Sequence, residues 1–156
     1  MLRAVLSDRL LSRFSIALGA RGLRAAGKLN VPIYRATRGR LMGKVGRAPV
    51  LLLTTTGRRS GQPRTAPVVY LRDRERFVVI GSNAGNGNTP AWALNLHANP
   101  DAEIDAYGER RRVRARVTEG EERAELWRRM NGQYAGFDDY RARTSRDIAV
   151  FALEPR

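Results

Sequence analysis

The chain begins with a helical pattern of apolar positions. A leucine or phenylalanine recurs at every fourth position from residue 2 to residue 18, and arginines occupy positions off that stripe. The spacing predicts an amphipathic helix over residues 2–18. Such a basic helix can lie on an anionic membrane surface, or its apolar stripe can pack on the rest of the chain. The stripe consists of Leu2, Leu6, Leu10, Phe14 and Leu18, with Val5, Leu11 and Ala17 beside it.

From residue 49 onward the apolar positions occur in short runs typical of β-strands. The first run is apolar on both faces and predicts a central strand, and turn residues separate the later runs. The predicted strands are residues 50–56, 65–71, 77–80, 102–106, 110–117 and 148–153. Their short connections imply antiparallel pairing. Six strands with flanking helices predict a mainly β (α+β) fold, a small six-stranded antiparallel closed or split β-barrel.

Helices are predicted between these strands and near the C-terminus. Thr89 is the expected N-cap of one helix, with Pro90 in its first turn. Thr118 and Glu121 have the spacing of a capping box at the start of another helix. The predicted helices lie between residues 90 and 99, at 119–131 and at 138–143. The glycine-rich stretch 38–48 is a flexible linker or an ordered loop.

Length and composition limit the class of protein. The chain has 156 residues, 42% of them hydrophobic, which suits one domain with a core. We expect a basic amphipathic segment over residues 1–30 and a barrel domain over 31–156. Cysteine is absent and His97 is the single histidine, so no metal site is expected. The uncharged run 14–20 is too short for a membrane-spanning helix, and we expect a cytoplasmic protein.

The charge of the chain is strongly positive and unevenly distributed. Its net charge is +14, and residues 1–47 hold 11 basic residues against one acid, Asp8. Such a chain attracts nucleic acid, anionic lipid or a polyanionic small molecule. Arginine outnumbers lysine, which favours forked recognition of phosphate and carboxylate, although a GC-rich genome gives the same bias. No nucleic-acid partner is expected, because the basic strand lacks interleaved aromatic residues.

The sequence GRRSGQPR, residues 57–64, is the strongest motif. Its two glycines permit a tight turn whose backbone N–H groups can form an anion-binding nest. Its three arginines and its serine can clamp phosphate or carboxylate oxygens, or the segment is only a solvated basic turn. The Gly/Asn loop 82–88 lies before a predicted helix, whose N-terminus also suits an anion.

Other residues allow both a structural and a functional interpretation. Trp92 can stack on a planar ligand or belong to the core. The aromatic residues at spacing three near the C-terminus can wall a pocket or pack in the core. The alternating arginines of one strand form a solvent face or a track for an acidic tail. The aromatic residues are Tyr134, Phe137 and Tyr140, and the arginines are Arg110, Arg112, Arg114 and Arg116.

Three segments together resemble the deazaflavin-dependent nitroreductase family, which is related to the split-barrel flavin-binding oxidoreductases. They are LLLTTTGRRSGQPRTAPVVYL, GSNAG followed by TPAWALNLHANPDAEI, and the C-terminal aromatic stretch, and the resemblance covers about Tyr34 to Pro155. It implies a split β-barrel that binds coenzyme F420, a 5-deazaflavin whose tail carries a phosphodiester and an oligoglutamate. FMN is the alternative cofactor.

The resemblance implies an F420H2-dependent reductase that transfers a hydride to a quinone-like or nitroaromatic acceptor. A non-catalytic F420- or FMN-binding carrier is the alternative. A proton would come from Tyr140, Tyr134 or solvent, and Phe137 lies where family members often place a tyrosine beside the substrate. The implied cofactor contacts are Arg58, Arg59, Ser60, Arg64, Thr65, Ala66, Pro67, Val68, Val69, Ile80, Gly81, Ser82, Asn83, Ala91, Trp92, Ala93, Leu94 and Asn95.

A membrane-held quinone is the acceptor that would suit the basic N-terminus. The sequence therefore predicts peripheral contact of residues 1–28 with an anionic membrane, on the inner face of the cell membrane. It leaves the oligomeric state open.

Overall fold

The computed structural model describes residues 2–156, apart from the side chains of residues 2–9, 11, 12, 15, 18, 20 and 23. Within the predicted apolar stripe, the side chains of Leu2, Val5, Leu6, Leu11 and Leu18 therefore lie outside the described residues. Those of Leu10, Phe14 and Ala17 are described, and all three are exposed.

Seven strands and four α-helices make up the described fold. In chain order they are α1 (Leu2–Thr37), β1 (Lys44–Val45), β2 (Ala48–Thr56), β3 (Pro63–Asp73), β4 (Arg76–Ile80), a 3-10 turn (Asn83–Gly85), α2 (Ala91–Ala98), β5 (Asp101–Ala106), β6 (Glu109–Val117), α3 (Gly120–Gln133), α4 (Gly136–Ala142) and β7 (Val150–Pro155). The order of the six predicted strands and of the helices between them is as the sequence predicts.

The barrel closes on strand β2. The sheet order is β1-β2-β3-β4-β7-β6-β5, every pairing is antiparallel, and β2 also pairs with β5. At Leu53, β2 lies opposite Ala66 of β3 on one edge and Ile104 of β5 on the other. Strands β2–β7 thus form a closed barrel. The prediction of a mainly β, six-stranded antiparallel split barrel with flanking helices is confirmed.

Both faces of β2 are buried, which explains its uninterrupted apolar sequence. Leu51 and Leu53 belong to a core cluster to which all six barrel strands contribute, so they face the barrel interior. Val50 and Leu52, on the opposite face, pack with Tyr34 of α1. The two-residue period of a strand produces this division. Helix α1 is therefore needed to cover the outer face of β2.

The hydroxyl of Tyr34 joins α1 to two strands. It donates to the carbonyl of Val50 at 2.9 Å, and the carbonyl of Asp105 is a second, longer acceptor at 3.3 Å. It also accepts a hydrogen bond from the N–H of Tyr107 at 2.9 Å. Burial raises the pKa of Tyr34 to about 12. The side chain is fully buried, so these backbone groups have no access to water as a replacement partner.

Helix α1 is longer than the predicted helix over residues 2–18. It continues to Thr37, with a break at Gly19, where φ is 63° and ψ is 179°. The predicted boundary at residue 30 falls inside this helix. The stretch 38–48 is an ordered turn followed by β1 and the start of β2 rather than a flexible linker. Among the described residues, no helix is both long and apolar enough to cross a bilayer.

The start of α2 differs by one residue from the prediction. Thr89 is not the N-cap, because Pro90 occupies that position with φ −63° and ψ 147°. No side chain caps this helix. Instead, the carbonyl of Pro90 accepts the N–H groups of Ala93 at 3.0 Å and Leu94 at 3.2 Å. The extended conformation of the proline delays the helix to Ala91.

The predicted capping box before α3 is also wrong. The N-cap residue is Glu119, and no side-chain cap is made there. The hydroxyl of Thr118 is fully buried and donates to the carbonyl of Val150 at 3.1 Å. Because Thr118 is held by the sheet, its hydroxyl cannot cap the helix and Glu121 cannot complete the motif.

Replacing Tyr34 with phenylalanine should lower the free energy of unfolding by about 1–3 kcal/mol, because buried backbone groups lose their partner. Urea denaturation followed by far-UV circular dichroism measures this loss. The matched control is Tyr107→Phe, which removes a hydroxyl that donates to the Gly43 carbonyl from a side chain 39% exposed. An equal or larger loss for Tyr107→Phe would contradict the role given to Tyr34.

Candidate functional site

One large cavity, of about 830 Å³, lies between β3, the turn 57–64, the loop 82–90, α1, α2 and the aromatic residues Tyr134, Phe137 and Tyr140. Its volume is within the range of pockets that bind cofactors and drug-sized ligands. Six basic side chains line it and no carboxylate does, within the described part of the chain. The basic residues are Arg24, Lys28, Lys44, Arg58, Arg59 and Arg64.

The turn 57–64 presents its arginines to this cavity. Gly61 has a φ of +66°, and its N–H donates to the Gly57 carbonyl at 2.7 Å. A side chain at Gly57 would place its Cβ 2.6 Å from the Ser60 hydroxyl oxygen, so this position requires glycine. The positive φ that the motif predicts for both glycines is found at Gly61 and not at Gly57, where the close approach of Ser60 favours glycine instead.

The three arginines of the turn are exposed to solvent and to the cavity. Arg58, Arg59 and Arg64 form no ion pair with any carboxylate of the described residues. Arg64 donates to the hydroxyl of Ser60 at 3.4 Å, which draws these two side chains together. Guanidinium groups gathered in this way suit phosphate or carboxylate oxygens.

The side chain of Asn95 fixes the start of the arginine turn. Its Nδ2 donates to the hydroxyl of Thr55 at 3.0 Å, and its Oδ1 accepts the backbone N–H of Arg58 at 3.1 Å. Asn95 is buried on α2, so this pair of hydrogen bonds joins α2 to the end of β2. Asn95 thus lies in the cavity wall with its amide committed to the protein.

The loop 82–88 forms another part of the wall through Ser82, Asn83 and Ala84. It contains a left-handed turn, because φ is +47° at Asn83, +51° at Ala84 and +74° at Gly85. Two side-chain amides brace it: Asn83 donates to the Asn88 carbonyl at 2.9 Å, and Asn86 donates to the Asn83 carbonyl at 2.6 Å.

The aromatic residues at spacing three form a buried wall. The hydroxyl groups of Tyr134 and Tyr140 are 2.9 Å apart, and the ring of Phe137 stands edge-to-face on both tyrosines. All three line the cavity and also belong to the cluster between the sheet and helices α3 and α4. Gly136 is required there, because a Cβ at that position would collide with the Tyr134 ring.

Trp92 lies between the cavity and the barrel core. It lines the cavity, and its ring contacts Phe151 of the barrel core with centroids 5.9 Å apart. The apolar lining near it comes from β3 and α2. Those apolar residues are Ala66, Pro67, Val68, Val69, Ala91 and Leu94, with Ile80 from β4.

Two of the predicted cofactor contacts do not lie in the wall. Ala93 is fully buried in the barrel core, and Gly81 lies behind the wall against Ala93. The other sixteen line the cavity, together with Tyr134, Phe137 and Tyr140. His97 is outside it, with its ring 5.1 Å from that of Phe151. Among the described residues, no group of His, Cys, Asp and Glu could hold a metal ion.

The alternating arginines of β6 also lie outside the cavity. They are exposed, and three of them pair with carboxylates of the protein. Arg116 pairs with Glu122 at 2.8 Å and with Glu154 at 3.0 Å, and hydrogen bonds from Arg116 and Arg76 lower the pKa of Glu122 to about 2. The alternating arginines form an exposed strand face that is joined to α3 through Arg116, and none of them lines the cavity.

Sequence reasoning missed the contribution of α1. Arg24, Gly27, Lys28 and Asn30 line the cavity, although the apolar periodicity predicts a helix only to residue 18. The excess of basic residues over 1–47 was the available signal. It predicts an anionic partner but not that these side chains meet the arginine turn.

A family model described as F420H(2)-dependent quinone reductase matches residues 26–155. The F420H(2)-dependent quinone reductase Rv1261c of Mycobacterium tuberculosis is 38% identical over 133 residues, which cover 83% of this chain and 89% of that protein. Rv3178 of the same organism, whose name carries the same activity, is 43% identical over 108 residues, covering 69% of this chain and 91% of Rv3178.

The solved structure of an F420-H2 dependent reductase, FDR-A, has a similar fold. It superposes with a TM-score of 0.64 at 32% sequence identity, covering 68% of this chain and 94% of that one. The matched family region includes the whole barrel, the arginine turn and the aromatic wall.

Proposed function

The chain belongs to the F420H(2)-dependent quinone reductase family, and on that premise we propose that its cavity binds reduced coenzyme F420 and reduces a quinone. The observation that carries the proposal is a lining of six basic side chains with no acidic one among the described residues. The phosphodiester and glutamate groups of the F420 tail make it a polyanion, which such a field attracts.

The parts of the wall suggest how the cofactor is held. Arg58, Arg59 and Arg64 are unpaired by carboxylates in the described chain and would contact the anionic tail. Ser82 and Asn83 would approach the phosphate. The apolar residues of β3 and Trp92 would contact the planar ring, with the other predicted contacts that line the cavity between them. The fit lies in this combination of cationic and apolar surfaces within one cavity.

The bound reduced deazaflavin supplies the hydride, and this chain positions the acceptor and a proton. The hydroxyl groups of Tyr134 and Tyr140 share a hydrogen bond at the cavity wall. We assign them the role of holding the proton that completes reduction of the quinone carbonyl. Phe137 would contact the acceptor ring. It cannot donate a hydrogen bond, so the proton is assigned to the tyrosines. Nitroaromatic acceptors could be reduced in the same cavity.

The first test is fluorescence titration of the protein with F420 and, separately, with FMN. In the Arg59→Ala/Arg64→Ala variant, the Kd for F420 should rise at least about tenfold, because charge-assisted hydrogen bonds are lost. The matched control is Arg110→Ala/Arg112→Ala, which removes the same charge from exposed positions outside the cavity. Equal Kd values for the two variants would contradict the tail-binding role. Binding of FMN but not of F420 would mean that the cofactor is FMN.

Steady-state oxidation of F420H2 distinguishes a reductase from a carrier. With a quinone present, a reductase turns over the reduced cofactor many times per protein molecule. A carrier binds F420 with the same arginine dependence but oxidises no more cofactor than the protein-free control.

The Tyr140→Phe variant tests the proton assignment. Its kcat for quinone reduction should fall by about tenfold to a hundredfold, because a positioned proton donor is removed. The Kd for F420 should remain unchanged, since the hydroxyl is assigned to the acceptor side. Tyr107→Phe serves as a control because Tyr107 does not line the cavity. An unchanged kcat in Tyr140→Phe and in Tyr134→Phe/Tyr140→Phe would mean that solvent supplies the proton.

We further propose that residues 1–28 contact an anionic membrane from the cytoplasmic side. Leu10 and Phe14 are 67% and 66% exposed, so these two members of the apolar stripe do not pack on the barrel. Arg13 and Arg21 are exposed on the same helix. Exposed apolar and basic residues on one helix favour binding at a lipid surface.

Removing residues 2–18 should reduce co-sedimentation with phosphatidylglycerol vesicles. This cut ends before Gly19 and spares the cavity residues Arg24 and Lys28. The point variant Leu10→Ser/Phe14→Ser should give a smaller reduction in the same direction. Unchanged binding to the vesicles in both would contradict membrane contact through this helix.

A further inference from the structure

The left-handed turn in the loop 82–88 needs an external constraint. Asn83 and Ala84 are not glycines, yet both have positive φ, at +47° and +51°. Side chains with a Cβ disfavour this conformation, and consecutive examples are rare. Such a turn persists where the surrounding structure imposes it, which happens most often at ligand-binding sites.

Arg146 supplies that constraint from outside the cavity. Its Nη2 donates to the carbonyl of Gly81 at 2.9 Å and to that of Ser82 at 2.7 Å, and its Nε donates to the carbonyl of Asn86 at 3.2 Å. One guanidinium therefore holds the backbone on both sides of the left-handed turn. Burial lowers the pKa of Arg146, because the charged guanidinium loses part of its hydration there.

The hydrogen bond from Arg146 to the Ser82 carbonyl also sets the direction of the Asn83 amide group. In a trans peptide the N–H points opposite to the C=O, so a Ser82 carbonyl held toward Arg146 turns the N–H of Asn83 away from it. Ser82, at φ −72° and ψ −31°, is followed by a left-handed Asn83, and this succession forms an anion-binding nest.

The amides of this nest are available to a ligand. The N–H groups of Asn83 and Ala84 make no hydrogen bond within the described residues. Both residues line the cavity, whereas Arg146 does not. The Ser82 carbonyl faces the arginine, so the N–H of Asn83 points to the opposite side of the loop.

We propose that Arg146 is a positioning residue for the cofactor: it holds the Ser82 carbonyl on its own side so that the amide of Asn83, with that of Ala84 beside it, can bind the phosphodiester. This inference rests on the proposed function, because the anion is part of F420. Arg146 acts through the backbone and does not itself touch the ligand.

The test compares two ligands that differ in the anionic tail. They are F420 and its deazaflavin riboside, which keeps the ring and the ribityl chain but lacks the phosphodiester and the oligoglutamate. In Arg146→Gln the Kd for F420 should rise by about tenfold, while the Kd for the riboside changes by less than about twofold. Arg146→Lys should lie between wild type and Arg146→Gln, because one ammonium cannot hold three carbonyls in the geometry of a guanidinium.

The matched control is Arg143→Gln. Arg143 lies three positions before Arg146, its side chain is exposed, and it does not line the cavity. It should leave both Kd values within about twofold of wild type, since long-range charge alone is screened. An equal rise for F420 and the riboside in Arg146→Gln would mean that Arg146 only maintains the fold. No change for either ligand would overturn the proposal outright.

A measurement on the wild-type protein covers the case in which Arg146→Gln does not fold. Amide hydrogen exchange, read by NMR, should slow at Asn83 and Ala84 when F420 is added but not when the riboside is added. Unchanged exchange at both amides in the F420 complex would overturn the nest assignment. Failure of wild-type protein to bind F420 at all would instead overturn the proposed function, so the two failures are distinguishable.

Discussion

The pairing of β2 on both of its edges is the constraint on which the rest of the structure depends. Because β3 and β5 pair with its two edges, β2 cannot shift without opening the barrel. The arginine turn leaves from the end of this strand and is held there by Asn95. The outer face of β2 requires a cover, and Tyr34 brings α1 into that position. Closing the barrel thereby brings basic residues of α1 and of the turn to one cavity.

The cavity concentrates basic side chains, and three of them, Arg58, Arg59 and Arg64, pair with no carboxylate of the described residues. Several arginines elsewhere in the chain pair with its own carboxylates, as Arg76 and Arg116 do with Glu122. No described carboxylate lines the cavity wall, so an anion that enters reduces the repulsion between the three arginines of the turn. A local arrangement that weakens the free protein but suits a ligand is typical of a binding site. The left-handed turn beside Arg146 follows the same logic in the backbone.

Much of the barrel could be predicted from the chain because strand signals are local. Alternation, apolar runs and turn residues identify six strands in their correct order, and the two glycines of residues 57–64 predict a tight turn. The helix caps could not be predicted in this way. Thr118 has the right sequence neighbours for a cap, yet its hydroxyl is taken by a carbonyl 32 positions later in the chain. A hydroxyl that could bond either of two partners bonds the one that tertiary packing brings nearest.

For the site, the sequence by itself determined the chemistry: an excess of arginine, a glycine-shaped basic turn and three aromatic residues at a spacing of three. These are properties of residue type and short-range spacing, which do not depend on the final fold. Only the tertiary structure decided which groups meet, namely that α1 contributes Arg24 and Lys28, that Asn95 is committed to the turn, and that Ala93 faces the core. The contact between Arg146 and Gly81 spans 65 positions of the chain. No local pattern encodes such a contact, because it exists only when barrel closure brings the two segments together.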